Sequence, residues 1–161
     1  MAAAEIIGAA VGVMLLVIVA YVVVGSTLYA AETVANTQKD LTIQQETRMR
    51  TAFAISDQQN QSTQIIANIT NTGTEIISDF NHMDVIVYDK DDNEYAICNY
   101  TSDSVMAGRW GITSYYDDFI HPLELDPGEK YQIWIQPPES ITNPKWFQII
   151  TANGVSASAF I

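Results

Sequence analysis

The sequence predicts an α+β protein: a long N-terminal α-helix, apolar in its first half, followed by an antiparallel β-sandwich. Two observations lead to this fold class. Residues 6–31 contain no charged side chain, and the later part of the chain carries short β-patterned segments separated by turn residues. Short strands without intervening helices are typical of a sandwich. We expect a helix over residues 1–55, a linker over 56–62 and an exposed sandwich over 63–161.

The uncharged segment 6–31 is long enough to cross a membrane. As an α-helix, a segment of this length spans roughly 39 Å, against about 30 Å for the hydrocarbon layer of a bilayer. Such a helix either spans a membrane or forms the apolar core of an assembly of like helices. The N-terminus lacks the basic region of a secretory signal, so we expect the helix to stay in the mature protein.

Small residues in this segment predict a face for helix packing. Gly8 and Gly12 form a G-x-x-x-G spacing, which lets two helices approach closely. The alternative is that glycine is simply frequent in membrane helices. The residues that we expect at helix contacts are Glu5, Gly8, Gly12, Leu16, Tyr21 and Gly25.

The helix is predicted to continue well beyond the apolar segment. Residues 32–53 are mostly polar, contain no proline or glycine, and carry a sparse apolar stripe. One helix from about residue 3 to residue 54 would be on the order of 75 Å long. A domain of about 100 residues is too small to cover such a helix. Part of it must therefore pack on other chains or lie in lipid.

The flanking residues give conflicting predictions of orientation. Lys39, Arg48 and Arg50 follow the apolar segment, and the positive-inside rule then places the following domain in the cytoplasm. Three N-x-[ST] sequons, which mark glycan acceptors in exported domains, favour the opposite side, although chance supplies one or two in a polar chain of this length. They lie at Asn60, Asn68 and Asn99. A basic leader removed from before Met1 would reconcile the two predictions.

Six segments after residue 62 have the composition of β-strands. The acidic turn 89–93 makes two of them a natural hairpin, and turn signals such as 126–128 and 153–154 separate others. The predicted strands cover residues 63–70, 83–88, 94–99, 130–136, 145–151 and 155–161.

The β region is strongly acidic. It carries nearly all of the chain's net charge of −12, because only Lys90, Arg109, Lys130 and Lys145 are basic from residue 56 onward. A surface of this sign repels nucleic acid and anionic lipid. We therefore expect no nucleic-acid partner.

The sequence offers little that could catalyse a reaction. His82 and His121 are the only histidines, and neither lies in a zinc motif such as H-E-x-x-H. Cys98 is the only cysteine, which excludes an intrachain disulfide and a cysteine-built metal site, and we expect it to be a small residue of a strand. We predict that the protein is not an enzyme and needs no cofactor.

The acidic turn is the best candidate for a cation site. Asp89, Asp91 and Asn93 fit positions 1, 3 and 5 of a calcium loop, whose ligands are oxygen atoms. However, Glu94 stands where an EF-hand has glycine, and Tyr100 stands where it has a bidentate glutamate. The EF-hand interpretation fails, and a looser Ca²⁺ site and an ordinary solvated hairpin turn remain as alternatives.

The aromatic segment 109–116 also has two interpretations. Trp, Tyr and Arg are enriched in interface hot spots, so the segment could form a contact surface. Equally, Trp110, Trp134 and Trp146 could fill the core of the sandwich.

The layout of the whole chain resembles the type IV pilin superfamily and its archaeal branch, the archaellins and the related F/G-type archaellar stator proteins. Glu5 matches a glutamate that mature pilins commonly carry, where it is suited to neutralising the N-terminal amine of a neighbouring subunit; a carboxylate at a membrane edge is the alternative. Residues 46–53, 68–73 and 126–129 look like the F/G-type proteins. The resemblance implies an immunoglobulin-like sandwich outside the membrane.

These observations lead to two hypotheses on function. The first is a structural subunit of an archaellum or pilus-like surface filament, inserted in the membrane before assembly and then polymerised through its N-terminal helix, for motility or adhesion. The alternative is a membrane-anchored archaellar stator protein whose sandwich binds the cell envelope or a surface-layer protein.

Overall fold

A computed structural model describes residues 2–61, 64–116, 118 and 120–161. It divides into two compact units, residues 1–44 and 45–161. The first unit consists of one helix, and the second is an all-β sandwich preceded by the last turn of that helix. The predicted α+β class is confirmed.

Helix α1 runs over Ala2–Arg50, 49 residues. It ends at Arg50 rather than near the predicted residue 54. The reason is that Phe53, which is only 9% exposed, is the first residue of a strand and packs into the sandwich core. From residue 27 onward in α1, threonine hydroxyls donate to carbonyl groups four residues earlier, which satisfies them within the helix. These are Thr27, Thr33, Thr37 and Thr42, at 2.8–2.9 Å.

The second unit contains eight strands. They are β1 (Phe53–Gln61), β2 (Gln64–Asn71), β3 (Asp84–Asp89), β4 (Glu94–Tyr100), β5 (Arg109–Tyr116), β6 (Lys130–Gln136), β7 (Pro144–Ile150) and β8 (Ser156–Phe160). They form one sheet in the order β1-β2-β6-β5-β4-β3-β7-β8. The two end strands, β1 and β8, approach each other, so the sheet curls into a sandwich that is nearly a barrel.

The sheet is mixed rather than purely antiparallel. All six predicted strands are present, with ends that differ by a residue or two; Ser62 and Thr63, at one predicted boundary, lie outside the described residues. The exception to antiparallel pairing is β4 with β5, which run parallel where Asn99 faces Arg109 and Tyr100 faces Trp110. The arrangement arises because the chain loops back after β4 and lays β5 beside the end of β4.

Two strands were not predicted as such. The segment interpreted as a linker, 56–62, belongs largely to β1, and the aromatic segment 109–116 is β5. The linker prediction was wrong because β1 is polar after Ile55 and is held by backbone pairing with β2. Asp57, at φ 53°, sits in an irregularity of that pairing.

Alternating residues of the strands form the core. Every second residue of β2 is buried, and the same alternation recurs in β3. Trp110 is fully buried and donates from its indole nitrogen to the Met83 carbonyl at 3.3 Å. Trp134 is buried instead over Gly111 on the outer face, while Trp146 is half-buried. The core interpretation therefore holds for Trp110 alone.

Candidate membrane anchor and docking surfaces

The first half of α1 has the properties of a membrane anchor. It is long and apolar enough to cross a bilayer. Its large apolar side chains are exposed, for example Leu16 at 71% and Ile6 at 69%. Soluble monomeric proteins rarely expose so large a continuous apolar surface. The segment requires either lipid or other apolar chains around it.

The predicted helix-packing residues lie on this exposed helix. Gly8 and Gly12, four residues apart, share one face, and a β-carbon at either position, or at Gly25, would meet no atom within 4 Å. The face therefore has room for a close neighbour. The packing roles of the whole set stay predictions: Glu5, Gly8, Gly12, Leu16, Tyr21 and Gly25.

The last turn of α1 is fastened to the sandwich by two arginines. Arg48 donates from Nη2 to the Gly154 carbonyl at 3.1 Å. Arg50 donates from Nε to the Thr74 hydroxyl at 3.4 Å and lies 3.6 Å from the Glu75 carboxylate. These arginines, which the sequence suggested as topology signals, therefore have a structural role in the second unit.

Backbone contacts complete this helix-end joint, which we define as residues 48–52 together with 72–75 and 153–154. The amides of Thr72 and Gly73 both donate to the Ala52 carbonyl at 2.9 Å, and the Asn153 side chain donates to the Thr51 hydroxyl at 2.6 Å. Gly73 lies so close to the end of the helix that a β-carbon would stand 2.5 Å from the Ala52 nitrogen. The joint fixes the last turn of α1 to the sandwich.

The calcium candidates lie where sequence analysis placed them, at the end of β3 and in the turn between β3 and β4. Asp89 is fully buried, and its carboxylate accepts hydrogen bonds from the backbone amides of Asp91, Thr142 and Asn143 at 2.7–2.9 Å. The Asn93 side chain accepts from the Tyr88 hydroxyl at 3.0 Å. Within the described residues, no three His, Cys, Asp or Glu side chains gather as metal ligands do. Asp89 instead ties the β3–β4 turn to the loop before β7.

This carboxylate gives a testable pH dependence. Hydrogen bonds, first that of the Asn143 amide, lower the pKa of Asp89 below its ordinary value of 3.8. Its stabilising effect is therefore complete above pH 3.8 and is lost as the pH falls through the lower pKa of the folded state. We expect Asp89→Asn to lower the Tm by several degrees at pH 7, and this difference to shrink as the pH falls below 3.8.

Thermal unfolding followed by circular dichroism measures this dependence. The matched control is Asp84→Asn, on the same strand but exposed on its outer face, which should leave the Tm within about 1–2 °C of the native value. Equal effects of the two variants at pH 7 would refute the role of Asp89. Thermal unfolding in the presence of Ca²⁺ also tests the cation hypothesis.

The three sequons differ in accessibility. Asn60 and Asn99 are exposed, although Ser62 of the first sequon lies outside the described residues. Asn68 is half-buried in the middle of β2, and its side-chain nitrogen donates to Asp57 at 2.8 Å. Asn99 is the best placed acceptor, and glycosylation stays a prediction.

The histidines and the cysteine form no catalytic arrangement. His82 contacts Asp79 at 2.8 Å, and His121 contacts Asp126 at 3.0 Å. The hydrogen bond and charge of Asp126 raise the pKa of His121. Burial raises the pKa of Cys98 to about 12, so the reactive thiolate is scarce at neutral pH.

An aromatic row on the outer face of the sheet was not predicted. Strand register places Tyr95, Tyr88, Trp146 and Phe160 directly beside one another across β4, β3, β7 and β8. Tyr95 and Phe160 are 63% and 77% exposed, and the rings of Tyr88 and Tyr95 are 4.6 Å apart. The sequence did not reveal this row, because only the strand order brings the four side chains together.

Comparisons with known proteins identify the fold. No protein-family model matches the chain, and no curated protein does. Among solved structures, the archaellum periplasmic stator protein FlaG from Sulfolobus acidocaldarius matches with a TM-score of 0.50 and 23% identity, over 69% of this chain and 99% of that chain. The chain has a FlaG-like fold.

A second solved structure also matches. It is the periplasmic stator complex of FlaF and FlaG from the same organism, with a TM-score of 0.48 and 23% identity, over 68% of this chain and 87% of that chain. At these identities the comparison with FlaG concerns the fold. The predicted sandwich architecture is thus shared with FlaG.

Proposed function

We propose that this chain is a membrane-anchored, stator-type protein of an archaellum. The apolar half of α1 spans the membrane, and the sandwich on the outer side binds a component of the envelope or of the archaellum. The observation that carries this proposal is the combination of an exposed, bilayer-length apolar helix with a FlaG-like sandwich.

The helix-end joint supports such a role. A stator must transmit force between the membrane and whatever its outer domain binds. Arg48, Arg50 and Gly73 fasten the last turn of α1 to the sandwich with side-chain and backbone contacts. A flexible glycine-rich linker would dissipate force, whereas this connection contains no such linker.

A filament subunit remains the second candidate. Glu5 and the spacing of Gly8 and Gly12 favour it, because both suit helices that pack against copies of themselves. The fold comparison favours the stator, since the similar protein is named as a periplasmic stator protein. The proposed partners are therefore envelope or archaellum components rather than a polymer of this chain.

Mechanical shearing of cells that express the chain distinguishes the two candidates. Shearing removes surface filaments and leaves integral membrane proteins in the cell fraction. We expect this chain to remain with the membranes while the filament subunit of the same cells, which serves as the internal control, appears in the sheared fraction. Recovery of the chain in the sheared filaments, in proportion to that subunit, would contradict the proposal.

A further inference from the structure

The outer face of β3 and β4 carries an apolar patch that the sandwich leaves exposed. Strand register places Ile97 beside Ile86 and Tyr95 beside Tyr88. Ile97 is 60% and Tyr95 63% exposed, while Ile86 and Tyr88 are half-buried. We call these four residues the outer patch. Exposed apolar patches of a soluble domain commonly mark a surface that another group covers.

The sequon residue Asn99 lies on the same face of β4. Side chains two residues apart on a strand share a face, so Asn99 points outward with Ile97 and Tyr95. Cys98, which points the other way, is fully buried. Along the strand, Ile97 is about 7 Å and Tyr95 about 13 Å from Asn99. The outer patch is therefore within reach of the first sugars of a glycan attached to Asn99.

The polar groups around Asn99 also suit a sugar. Arg109 lies beside Asn99 on β5, and its guanidinium forms no ion pair within the part of the chain that the structure describes. Asp84 lies beside Asn99 on β3 and is exposed. A guanidinium donates hydrogen bonds and a carboxylate accepts them. Both groups can therefore bind sugar hydroxyl groups, while the C–H faces of the same sugar rings suit an apolar surface.

We propose that Asn99 carries an N-linked glycan whose first sugars lie on the outer patch. The C–H faces of the sugar rings cover Ile97 and Tyr95, and their hydroxyl groups bind Arg109 and Asp84. Attachment at Asn99 keeps the sugars at a high effective concentration beside the patch, so that weak contacts suffice. The glycan stabilises the sandwich because it removes apolar surface from water. This inference rests on the outer location of the sandwich in the proposed function.

Mass spectrometry of the full chain, purified in detergent from its native host, tests the modification. We expect sugar on the peptide that contains Asn99 in the native chain and in the Thr101→Ser chain, which keeps the N-x-[ST] motif. The Thr101→Ala chain should carry none at this position. A native chain that stays with the membranes on shearing but has an unmodified Asn99 would overturn this inference and leave the proposed function standing.

Hydroxyl-radical labelling of the same purified protein tests where the sugars lie. We expect Tyr95 and Ile97 to be labelled more slowly in the native chain than in the Asn99→Gln chain, because the glycan shields them from solvent. Tyr115 is the internal control: it is 41% exposed and lies on β5, about 20 Å along the strand from Arg109. Its labelling should be the same in both chains. Equal labelling of Tyr95 and Ile97 in both chains would show that the glycan projects into solvent, and would overturn the proposal.

Thermal unfolding tests whether the glycan stabilises the sandwich through the outer patch. Loss of the glycan in the Asn99→Gln chain should lower the Tm by about 4 °C. In a Tyr95→Ala, Ile97→Ala chain, the further change Asn99→Gln should leave the Tm unchanged, because groups in contact contribute non-additively. An equal loss of Tm in both backgrounds would mean that the sugars act elsewhere, and would overturn the proposal.

Discussion

The double variant Val13→Asp, Leu16→Asp is expected to detach the protein from the membrane. Both residues lie inside the first half of the uncharged segment 6–31 and are more than half exposed, at 62% and 71%. An acidic residue near the centre of a spanning helix costs about 2.5–3.5 kcal/mol on insertion scales. Together the two changes should cost about 5–7 kcal/mol, which shifts the chain from the membrane pellet to the supernatant.

Alkaline carbonate extraction of isolated membranes measures this shift. The matched control is Gln38→Asp, Thr42→Asp, two exposed positions in the polar half of α1, which adds the same charge to the same helix. The control protein should stay in the pellet. If the Val13, Leu16 variant is retained as firmly as the control, the segment does not reside in lipid or in an apolar assembly.

The substitution Gly73→Ala should disrupt the helix-end joint. A β-carbon at this position would stand 2.5 Å from the Ala52 nitrogen and closer still to the Arg50 carbonyl oxygen. Both atoms belong to the backbone and cannot rotate away. The expected loss is about 3 kcal/mol or more of unfolding free energy, which lowers the Tm of the sandwich by roughly 10 °C.

Thermal unfolding of the full chain in detergent checks this expectation. Gly108→Ala is the control: Gly108 has φ 73°, but a β-carbon there would meet nothing within 4 Å. It should cost only about 1 kcal/mol, from the backbone conformation alone. A Gly73→Ala chain as stable as the Gly108→Ala chain would show that the close approach does not constrain the joint.

Several parts of the fold were predictable because their signals are local. The absence of charge over residues 6–31 fixes the apolar helix, and the alternation in β2 and β3 fixes strands that bury one face. The hairpin of β3 and β4 follows from the acidic turn between them. In each case neighbouring residues determine the element.

Other features depend on distant residues and could not be predicted. β1 is polar after Ile55 and becomes a strand only because β2 supplies a backbone partner. The parallel contact of β4 with β5 and the aromatic row follow from strand order, which alternation does not encode. Similarly, the need for a glycine at position 73 follows from its close approach to residues 50–52, which only the folded chain brings about.

The orientation of the sandwich is central to the account. By the positive-inside rule, Arg48 and Arg50 predicted a cytoplasmic domain. However, both side chains bind groups of the helix-end joint: Arg48 the Gly154 carbonyl, and Arg50 the Glu75 carboxylate. Their position therefore has a structural reason that is independent of topology. The exposed sequon at Asn99 favours the outer side.

Labelling of intact cells with a membrane-impermeant maleimide tests this orientation most directly. The substitution Asn99→Cys places a thiol on an exposed position of β4, while the buried native Cys98 serves as the unreactive background. The account predicts that Asn99→Cys is labelled in intact cells to the same extent as after lysis, and that the labelled chain stays with the membranes. Labelling that occurs only after lysis would place the sandwich in the cytoplasm and contradict the account.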